Sequence, residues 1–418
     1  MFKSHYSKKG IVALCTLAYF ASYFSRKTFA VVMANMLEEN VITKEVGGYI
    51  GAALFIFYGL GQLISGFLGD KLQPKKLMFT GLMISAVCNL LLPLMPSGAL
   101  MVPVWAINGF AQALLWPPIV RILADNLSHE KYVTANLVVT CGAHVSTIVL
   151  YLYAPLCISV MSYKLVFFTS TVFCIVAGVI FIAAMGIVLP KKPLIYVRKS
   201  KLLNTGAQDL SKIKLGKLFV STGVLPIFVC IIAMGFMRDG IESWLPTLYM
   251  EVFNKSSEGS ILISVALPIF SIISLFAVRA IHKGKTFNNE SRGSLILFAI
   301  SAVLCVPLTF LINASGSIGQ ILSLLIACIV CACMHSCNFL LISCVPGRFA
   351  KTGRASTISG FCNACTYVGA ATSMYGIAYV SNLFGWSATV CSWIGICLLG
   401  VAFALFALGK YSKFLKIN

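Results

Sequence analysis

Charged side chains are scarce in this sequence, and their scarcity indicates its class. Only 11% of the 418 residues are Asp, Glu, Lys or Arg, whereas 59% are hydrophobic, and the mean hydropathy is +0.92. A soluble chain of this length would need far more charge to cover its surface. The short alternating strands of a transmembrane β-barrel are also missing. The sequence therefore predicts an all-α integral membrane protein whose partner is the lipid bilayer.

Acidic residues are the rarer charged type, with 12 Asp and Glu against 32 Lys and Arg, for a net charge of +20. With the amino terminus placed in the cytoplasm, 26 of the 32 basic residues fall in inner loops and termini or at the inner ends of spans, three in the middle of spans and three in outer loops. This is the positive-inside pattern of membrane proteins. The charge thus predicts a topology rather than nucleic-acid binding. Both termini are predicted to be cytoplasmic, and the protein to reside in the cell membrane.

The sequence also lacks the residue arrangements of common enzymes and metalloproteins. Its 16 cysteines lie mostly within apolar spans, without CxxC pairs arranged as a metal site. We interpret the group Cys328, Cys331, Cys333 and Cys337 as small packing side chains. No nucleophile–base arrangement is visible. We therefore predict a protein that is not an enzyme and that binds no metal or other cofactor.

Long apolar segments are abundant, and their limits predict about twelve transmembrane helices. The predicted spans are 10–37, 47–69, 77–95, 101–124, 132–155, 164–189, 219–250, 259–281, 293–312, 318–345, 353–380 and 385–409. A long basic segment separates the sixth span from the seventh. It divides the chain into an N-terminal six-helix bundle (1–190), a cytoplasmic linker (191–218) and a C-terminal six-helix bundle (219–418). This plan resembles the major facilitator superfamily, and we expect a monomer.

Two cations, Arg26 and Lys27, lie in the middle of the first span, and Arg238 lies at the same depth in the seventh. Charges inside a membrane span are costly and usually mark a functional site. The first span contains no carboxylate, so we predict that an anionic ligand pairs with Arg26. A phosphoryl group suits the bidentate guanidinium especially well. Lys27 points about 100° away around the helix, and it either lines the edge of the cavity or pairs elsewhere.

Arg238 has acidic neighbours in the sequence. Asp239 follows it directly, and Glu242 lies at i+4, within reach of Arg238 on a helix. Two interpretations stay open. The carboxylate either forms a structural salt bridge that changes partners during transport, or takes up a proton and couples transport to protons.

The fifth span carries a polar stripe at helical spacing, formed by Asn136, Thr140, His144, Thr147 and Tyr151. Such a stripe favours a cavity wall, because unpaired polar groups are costly in lipid. Other polar positions fit either a cavity wall or hydrogen bonds between helices. They are Tyr19, Tyr23, Tyr58, Gln62, Ser65, Asn108, Gln112, Trp116, His335, Asn338, Ser356, Asn363 and Tyr367.

Six segments resemble the organophosphate:phosphate antiporter family, which includes glycerol-3-phosphate, hexose-phosphate and phosphoglycerate carriers. They are "YFSRKTFAVVMANML", "GDKLQPKKLMFTGL", "NGFAQALLWPPIVRILADNLS", "CGAHVST", "RDGIESWLPTLYMEV" and "FAKTGRASTISGFCNACTYVGA". The resemblance implies that Arg26 and Arg238 bind a phosphoryl group between them, beside the histidine at His144. It also implies pocket tyrosines, which fall on Tyr19, Tyr23, Tyr58 and Tyr367.

Several positions depart from the pattern of the well-studied bacterial carriers. They are Gln62, Thr140, Cys141, Val145, Gly235, Asp239 and Glu242. At Gln62 those carriers have a lysine, and Asp239 and Glu242 are additional acids. The loop after the eighth span also lacks the usual acidic residue of the family. The substrate is therefore predicted to be an unusual phosphate ester, or another anion.

Taken together, the residues and the resemblance predict a secondary transporter that exchanges a phosphate ester for inorganic phosphate by alternating access. In this hypothesis two arginines repel each other in the empty cavity, and the phosphoryl group cancels the repulsion. A proton-coupled organic anion symporter and a non-transporting phosphate-ester sensor stay open as alternatives. The predicted substrate-binding residues are Arg26, Arg238, His144, Tyr19, Tyr23, Tyr58, Gln62, Lys27, Tyr367 and Asn363. The predicted coupling or gating residues are Glu242, Asp239, Asp70 and Arg354.

Overall fold

The computed structural model describes residues 8–188, 215–282, 287–314, 316–349 and 355–417, and within these ranges every regular element is a helix. In chain order the α-helices are α1 (Lys8–Glu38), α2 (Lys44–Lys71), α3 (Pro74–Leu91), α4 (Gly98–Ala113), α5 (Trp116–Asn126), α6 (His129–Val160), α7 (Tyr163–Val188), α8 (Leu215–Thr222), α9 (Val224–Phe253), α10 (Ser257–Ile263), α11 (Ala266–Ile281), α12 (Glu290–Leu311), α13 (Ser317–Asn338), α14 (Val345–Arg348) and α15 (Ala355–Ile417). A 3-10 turn (Leu92–Leu94) extends α3, and a π-helix (Phe339–Cys344) joins α13 to α14.

Among the residues that the structure describes, ten helical segments are long and apolar enough to cross a membrane. The longest, Thr357–Lys416, is interrupted at Gly385, whose positive φ of 78° breaks the helix into two crossings. The helix α1 is not among the ten, but its 31 residues exceed the roughly 20 that a crossing needs. Counting α1 and both parts of α15 confirms the predicted all-α membrane protein of about twelve spans.

Three predicted spans differ from the observed helices. The span 101–124 is divided at Leu114 and Leu115, because two prolines in the first turn of α5 lack the N–H groups that would continue the ladder. The span 259–281 is divided between α10 and α11, and the span 318–345 changes to a π-helix near its end. The predicted linker 191–218 lies mostly outside the described residues, and α8 begins within its last four. The domain limits therefore stay a prediction.

A glycine in each bundle allows two helices to approach closely. A side chain at Gly109 on α4 would clash with the backbone carbonyl of Leu54 on α2. Gly369 on α15 has the same relation to the carbonyl of Ile232 on α9 in the C-terminal bundle. In lipid, where no hydrophobic force drives helices together, such backbone contact is a main source of packing energy.

We expect Gly109→Ala to lower the stability of the purified protein by about 1–3 kcal/mol, since inserting a methyl group into a packed contact forces the helices apart. The matched control is Gly395→Ala, because Gly395 is also helical and nothing lies within 4 Å of the position its Cβ would take. Thermal unfolding in detergent measures both. Equal unfolding midpoints for the two variants would contradict the close approach of α2 and α4.

A buried hydrogen-bond network joins α1, α3 and α4 inside the N-terminal bundle. Ser85 donates to Asn108 at 2.7 Å, Gln112 donates to Ser85 at 2.7 Å, and Asn89 donates to Ser25 at 2.9 Å. Asn108 and Gln112 therefore form hydrogen bonds between helices, which was one of the two interpretations of these polar positions. Neither residue lines the cavity between the bundles.

Polar contacts close one end of the interface between the two bundles. Asn35 on α1 donates to Ser257 at 3.0 Å, and Lys44 on α2 pairs with Glu251 on α9 at 2.6 Å. Both contacts lie near the helix ends that the charge pattern places outside the cell. The bundles are thus in contact at the predicted outer end.

An ion-pair cluster lies at the opposite end of the C-terminal bundle. The Nε atom of Arg348 donates to Glu290 at 2.8 Å, and the hydroxyl of Tyr411 donates to the same carboxylate at 3.0 Å. Glu290 is fully buried. Glu290 lies in the segment between the predicted eighth and ninth spans, at the start of α12, and its carboxylate joins that segment to Arg348 and Tyr411. Of the predicted gating residues, Arg354 lies outside the described residues, as does the side chain of Asp70.

Candidate substrate cavity

A cavity of about 600 Å³ lies between the two bundles. Its lining extends to Tyr132 near the start of α6, Arg279 near the end of α11 and Ser359 near the start of α15. These positions adjoin the basic loops that the sequence predicts to be cytoplasmic. In the other direction the lining ends near Tyr151, below the contacts that join the bundles. The cavity therefore approaches the side of the basic loops and is closed on the other.

All ten predicted substrate-binding residues line this cavity, and so do the five polar residues of the α6 stripe. The ten come from α1, α2, α6, α9 and α15, so residues far apart in sequence meet at one place. The predicted coupling residues Asp239 and Glu242 also line it. Their location agrees with the sequence-based set, whereas their role in substrate binding stays a prediction.

Arg26 is a cation buried at the centre of the cavity. Its side chain is buried, and its Nε atom has no hydrogen-bond partner in the part of the chain described. No carboxylate among those residues forms an ion pair with it. Its guanidinium carbon instead lies 4.2 Å from the ring centroid of Tyr58 and 5.8 Å from that of Tyr367. Aromatic faces stabilise a cation without supplying a counter-charge, so Arg26 keeps its charge for a ligand.

Aromatic side chains from both bundles surround Arg26. The rings of Tyr58 on α2 and Tyr367 on α15 lie 4.5 Å apart between centroids. Tyr19 and Tyr23 on α1 form a second pair at 4.9 Å. The amide of Gln62 donates to the hydroxyl of Tyr58 at 3.0 Å, which orients that ring. The rings of Tyr23, Tyr58 and Tyr367 thus enclose one buried guanidinium, at 5.4, 4.2 and 5.8 Å from its carbon.

Arg238 already has partners. Its Nη2 atom lies 2.6 Å from a carboxylate oxygen of Asp239, and its Nη1 atom donates to Asn338 at 2.7 Å. The expected bridge from Arg238 to Glu242 is wrong. Glu242 turns instead toward residues of other helices, a choice that the spacing along one helix does not reveal. The hypothesis that Arg26 and Arg238 repel each other without a counter-charge is also wrong, because Asp239 neutralises Arg238.

Lys27 pairs elsewhere, as one of its two interpretations held. Its Nζ atom lies 2.6 Å from Oε2 of Glu242, across the interface between the bundles. The other oxygen of Glu242 lies 2.7 Å from Nε2 of His335 on α13. The ring of His335 in turn contacts that of His144, with centroids 5.2 Å apart. Four ionisable residues thus form one continuous series, which begins at Lys27 and ends at His144 in the N-terminal bundle and passes through Glu242 and His335 of the C-terminal bundle.

His335 and Asn338 are the functional candidates that the predicted site omitted. Both appeared among the polar positions of the tenth span, but spacing alone did not separate them from residues that join helices. The structure places His335 on Glu242 and Asn338 on Arg238. The available signal was their i, i+3 spacing on an otherwise apolar helix.

The charges around the middle of the cavity do not balance. Lys27 pairs with Glu242 and Arg238 pairs with Asp239, whereas Arg26 has no carboxylate partner among the described residues. Among the arginine, lysine and carboxylate side chains there, one positive charge is left over at the buried arginine. An anion is the ligand class that this arrangement accommodates.

A family comparison agrees with this geometry. Residues 15–374 match the family model described as "Major Facilitator Superfamily". The chain belongs to the major facilitator superfamily. The superfamily fold is also evident in a solved bacterial homologue of the human lysosomal transporter Spinster, in an inward-facing and unoccupied conformation. That structure aligns with a TM-score of 0.71 and 14% identity over 100% of this chain and 98% of the other.

Within the superfamily, the chain is similar to proteins named as organophosphate carriers. A glycerol-3-phosphate transporter of Bacillus subtilis is 23% identical over 93% of this chain and 89% of the relative. A probable hexose phosphate transport protein of Chlamydia muridarum is 29% identical over 38% of this chain, and the match spans only 35% of that relative's length. These relatives confirm the resemblance that the sequence motifs indicated.

Proposed function

We propose that this protein is a secondary transporter that exchanges an organic phosphate ester for inorganic phosphate across the cell membrane. The observation that carries the proposal is Arg26, buried in a cavity between two bundles with no carboxylate partner among the described residues. The names of its relatives, hexose phosphate and glycerol-3-phosphate transporters, support the same substrate class.

A phosphoryl group fits the chemistry of the site. A planar guanidinium donates two parallel hydrogen bonds to phosphate oxygens, and the hydroxyls of the tyrosines around Arg26 supply further donors. The organic part of the ester would contact the tyrosine rings that line the cavity. In this proposal the substrate first binds Arg26 and then draws Arg238 away from Asp239. Both bundles then hold the same anion, which favours closure of the inner side.

Exchange follows from the charge that an empty cavity would enclose. Closing both ends around an unmatched Arg26 would bury a charge without a counter-ion, which is strongly unfavourable in low dielectric. Bound phosphate or phosphate ester removes this penalty, so the loaded carrier changes conformation more readily than the empty one. The bundles then rock about the central site, as in other transporters built from paired repeats.

We expect Asp239→Asn to bind inorganic phosphate at least about tenfold more tightly, because the substitution removes a competitor for Arg238 worth more than about 1.4 kcal/mol. Exchange should slow at the same time, since the anion leaves less readily. The control is Asp125→Asn, whose carboxylate is exposed and pairs with Arg121 away from the cavity. Isothermal titration of the purified variants measures the affinity. Weaker binding by a folded Asp239→Asn variant would contradict the proposed competition.

One observation favours a second candidate, a proton-coupled organic anion symporter. Glu242 contacts both Lys27 and His335 within the cavity, and a carboxylate beside an imidazole is a suitable place for a transported proton. In this alternative, protonation of Glu242 releases Lys27, and transport requires no counter-substrate.

Counterflow in proteoliposomes distinguishes these functions. Vesicles containing the purified protein are preloaded with inorganic phosphate, with unrelated anions or with buffer, and then given labelled phosphate esters with and without a pH gradient. Exchange requires uptake that depends on internal phosphate. Uptake that needs only the pH gradient would establish the symporter instead. A folded protein that binds an ester but transports nothing would favour a sensor.

A further inference from the structure

A thiol, an imidazole and a carboxylate converge beside the cavity. The sulfur of Cys331, a ring nitrogen of His335 and a carboxylate oxygen of Glu242 all lie within 4.8 Å of one another. These three groups are the protein ligands that zinc and similar borderline cations prefer. The proposed exchange of anions does not involve Cys331, so it does not explain why a thiol lies beside the imidazole and the carboxylate.

The local structure explains how the three groups meet. Cys331 and His335 are four positions apart on α13, so both side chains lie on the same face of that helix. Glu242 reaches them from α9, which packs beside α13. In tetrahedral zinc sites the metal lies about 2.0–2.3 Å from each ligand, which puts the ligand atoms roughly 3–4 Å apart. Small side-chain movements would therefore close this cluster around one ion.

His144 is the candidate for a fourth ligand, from the opposite bundle. Its ring lies beside that of His335, with the centroids 5.2 Å apart, and it lines the cavity from α6. With it the donor set becomes one sulfur, two nitrogens and one oxygen, which is a complete tetrahedral set for zinc. Because His144 belongs to the N-terminal bundle, an ion held this way would join the two bundles.

The carboxylate of Glu242 is oriented by a hydrogen bond from a second residue. Its Oε2 atom accepts from Lys27 at 2.6 Å, which leaves Oε1, the atom that faces His335 at 2.7 Å, to bind the ion. Ligands oriented by a hydrogen bond from a second residue are typical of metal sites. Lys27 would thus position the carboxylate without contacting the metal.

We propose that Cys331, His335, Glu242 and His144 form a site for a borderline divalent cation of the Zn²⁺ class. The sequence-based interpretation of the cysteines as packing residues considered α13 alone. Of its four cysteines, only Cys331 belongs to the cluster; the others are Cys328, Cys333 and Cys337. On binding, the thiol of Cys331 releases its proton to the solvent, so the thiolate and the carboxylate carry two negative charges, which the ion shares with Lys27.

Cobalt(II) is a direct probe of this site, because a thiolate ligand gives bound Co²⁺ an intense charge-transfer absorption. The full-length protein in detergent is titrated with Co²⁺, and the band is then displaced with Zn²⁺. We expect saturation at one equivalent. Cys331→Ser should abolish the band and weaken Zn²⁺ binding by more than about 100-fold, since it removes a direct ligand and even supporting residues are worth 10–100-fold.

The matched control is Cys328→Ser, which removes a buried thiol one turn away on the same helix and should leave the band unchanged. His335→Gln is the second variant, and it should weaken Co²⁺ binding while the thiolate band, where it forms, shifts in position. Circular dichroism verifies that each variant is folded. A wild-type protein without the charge-transfer band, or a band that persists in Cys331→Ser, would overturn the site.

An occupied site should also hold the bundles together. We expect micromolar Zn²⁺ to slow phosphate counterflow in the wild type and to have at least tenfold less effect on Cys331→Ser. This arm depends on the proposed transport activity, whereas the cobalt titration does not. If the protein exchanges phosphate and binds Co²⁺, but Zn²⁺ does not slow its counterflow, the bridging role of His144 is contradicted.

Discussion

Arg26→Lys should abolish phosphate counterflow while leaving the protein folded in the membrane. Lysine keeps the positive charge but not the planar pair of donors that phosphate oxygens require. Removing one partner of a buried, hydrogen-bonded charge pair costs about 2–5 kcal/mol, and each 1.4 kcal/mol is about tenfold in affinity. We therefore expect at least about 100-fold weaker binding of phosphate, measured by titration alongside counterflow in proteoliposomes.

The control for this variant is Arg279→Lys. Arg279 lines the same cavity, but it lies at the mouth on α11 and is only half-buried. The substitution is chemically identical, so the comparison separates the role of the central position from that of charge in general. Arg279→Lys should retain most of the exchange. Counterflow at the wild-type rate in Arg26→Lys would show that the substrate does not bind this guanidinium.

Lys27→Met should destabilise the protein by about 3–5 kcal/mol, because it leaves the carboxylate of Glu242 buried without its main counter-charge. The two side chains are 12% and 14% exposed, so water replaces little of what is lost. The double variant Lys27→Met/Glu242→Gln should be closer to the wild type than either single change, since it leaves no unpaired charge. Thermal unfolding in detergent measures all four proteins as a double-mutant cycle.

Lys44→Met provides the comparison for this pair. Lys44 and Glu251 have the same chemistry and the same 2.6 Å separation, but they lie at the end of the helices and are more exposed. Glu251 is 28% exposed and also accepts a hydrogen bond from Trp386, so water and the indole compensate it in part, and Lys44→Met should cost less than Lys27→Met. If Lys27→Met is as stable as Lys44→Met, or if the effects of Lys27→Met and Glu242→Gln are additive, Lys27 and Glu242 do not stabilise the protein as a buried ion pair.

Much of the fold follows from the sequence because a lipid environment permits few alternatives. A span must satisfy its backbone internally, so uninterrupted apolar runs, together with the basic loops between them, were enough to predict about twelve helices. The break after Leu114 was missed because Pro117 and Pro118 lie within an otherwise continuous apolar run. Hydropathy averages over such a run and does not register the missing N–H groups.

The candidate site was predictable in its members but not in its pairings. Arg26, Tyr58 and His144 are polar residues in apolar spans, and their periodicity indicates the wet face of each helix. Which carboxylate meets which cation depends on contacts between helices. Lys27 and Glu242 are 215 positions apart, so helical spacing, which related Glu242 to Arg238, selected the wrong partner.

The most direct measurement is the efflux of labelled inorganic phosphate from proteoliposomes that hold the wild-type protein. If transport is an obligate exchange around Arg26, labelled phosphate should stay inside in plain buffer. It should leave when a phosphate ester or unlabelled phosphate is added outside, and Arg26→Lys vesicles should release none. Efflux into buffer at the same rate as into phosphate ester would contradict exchange, because the empty carrier would then change conformation as readily as the loaded one.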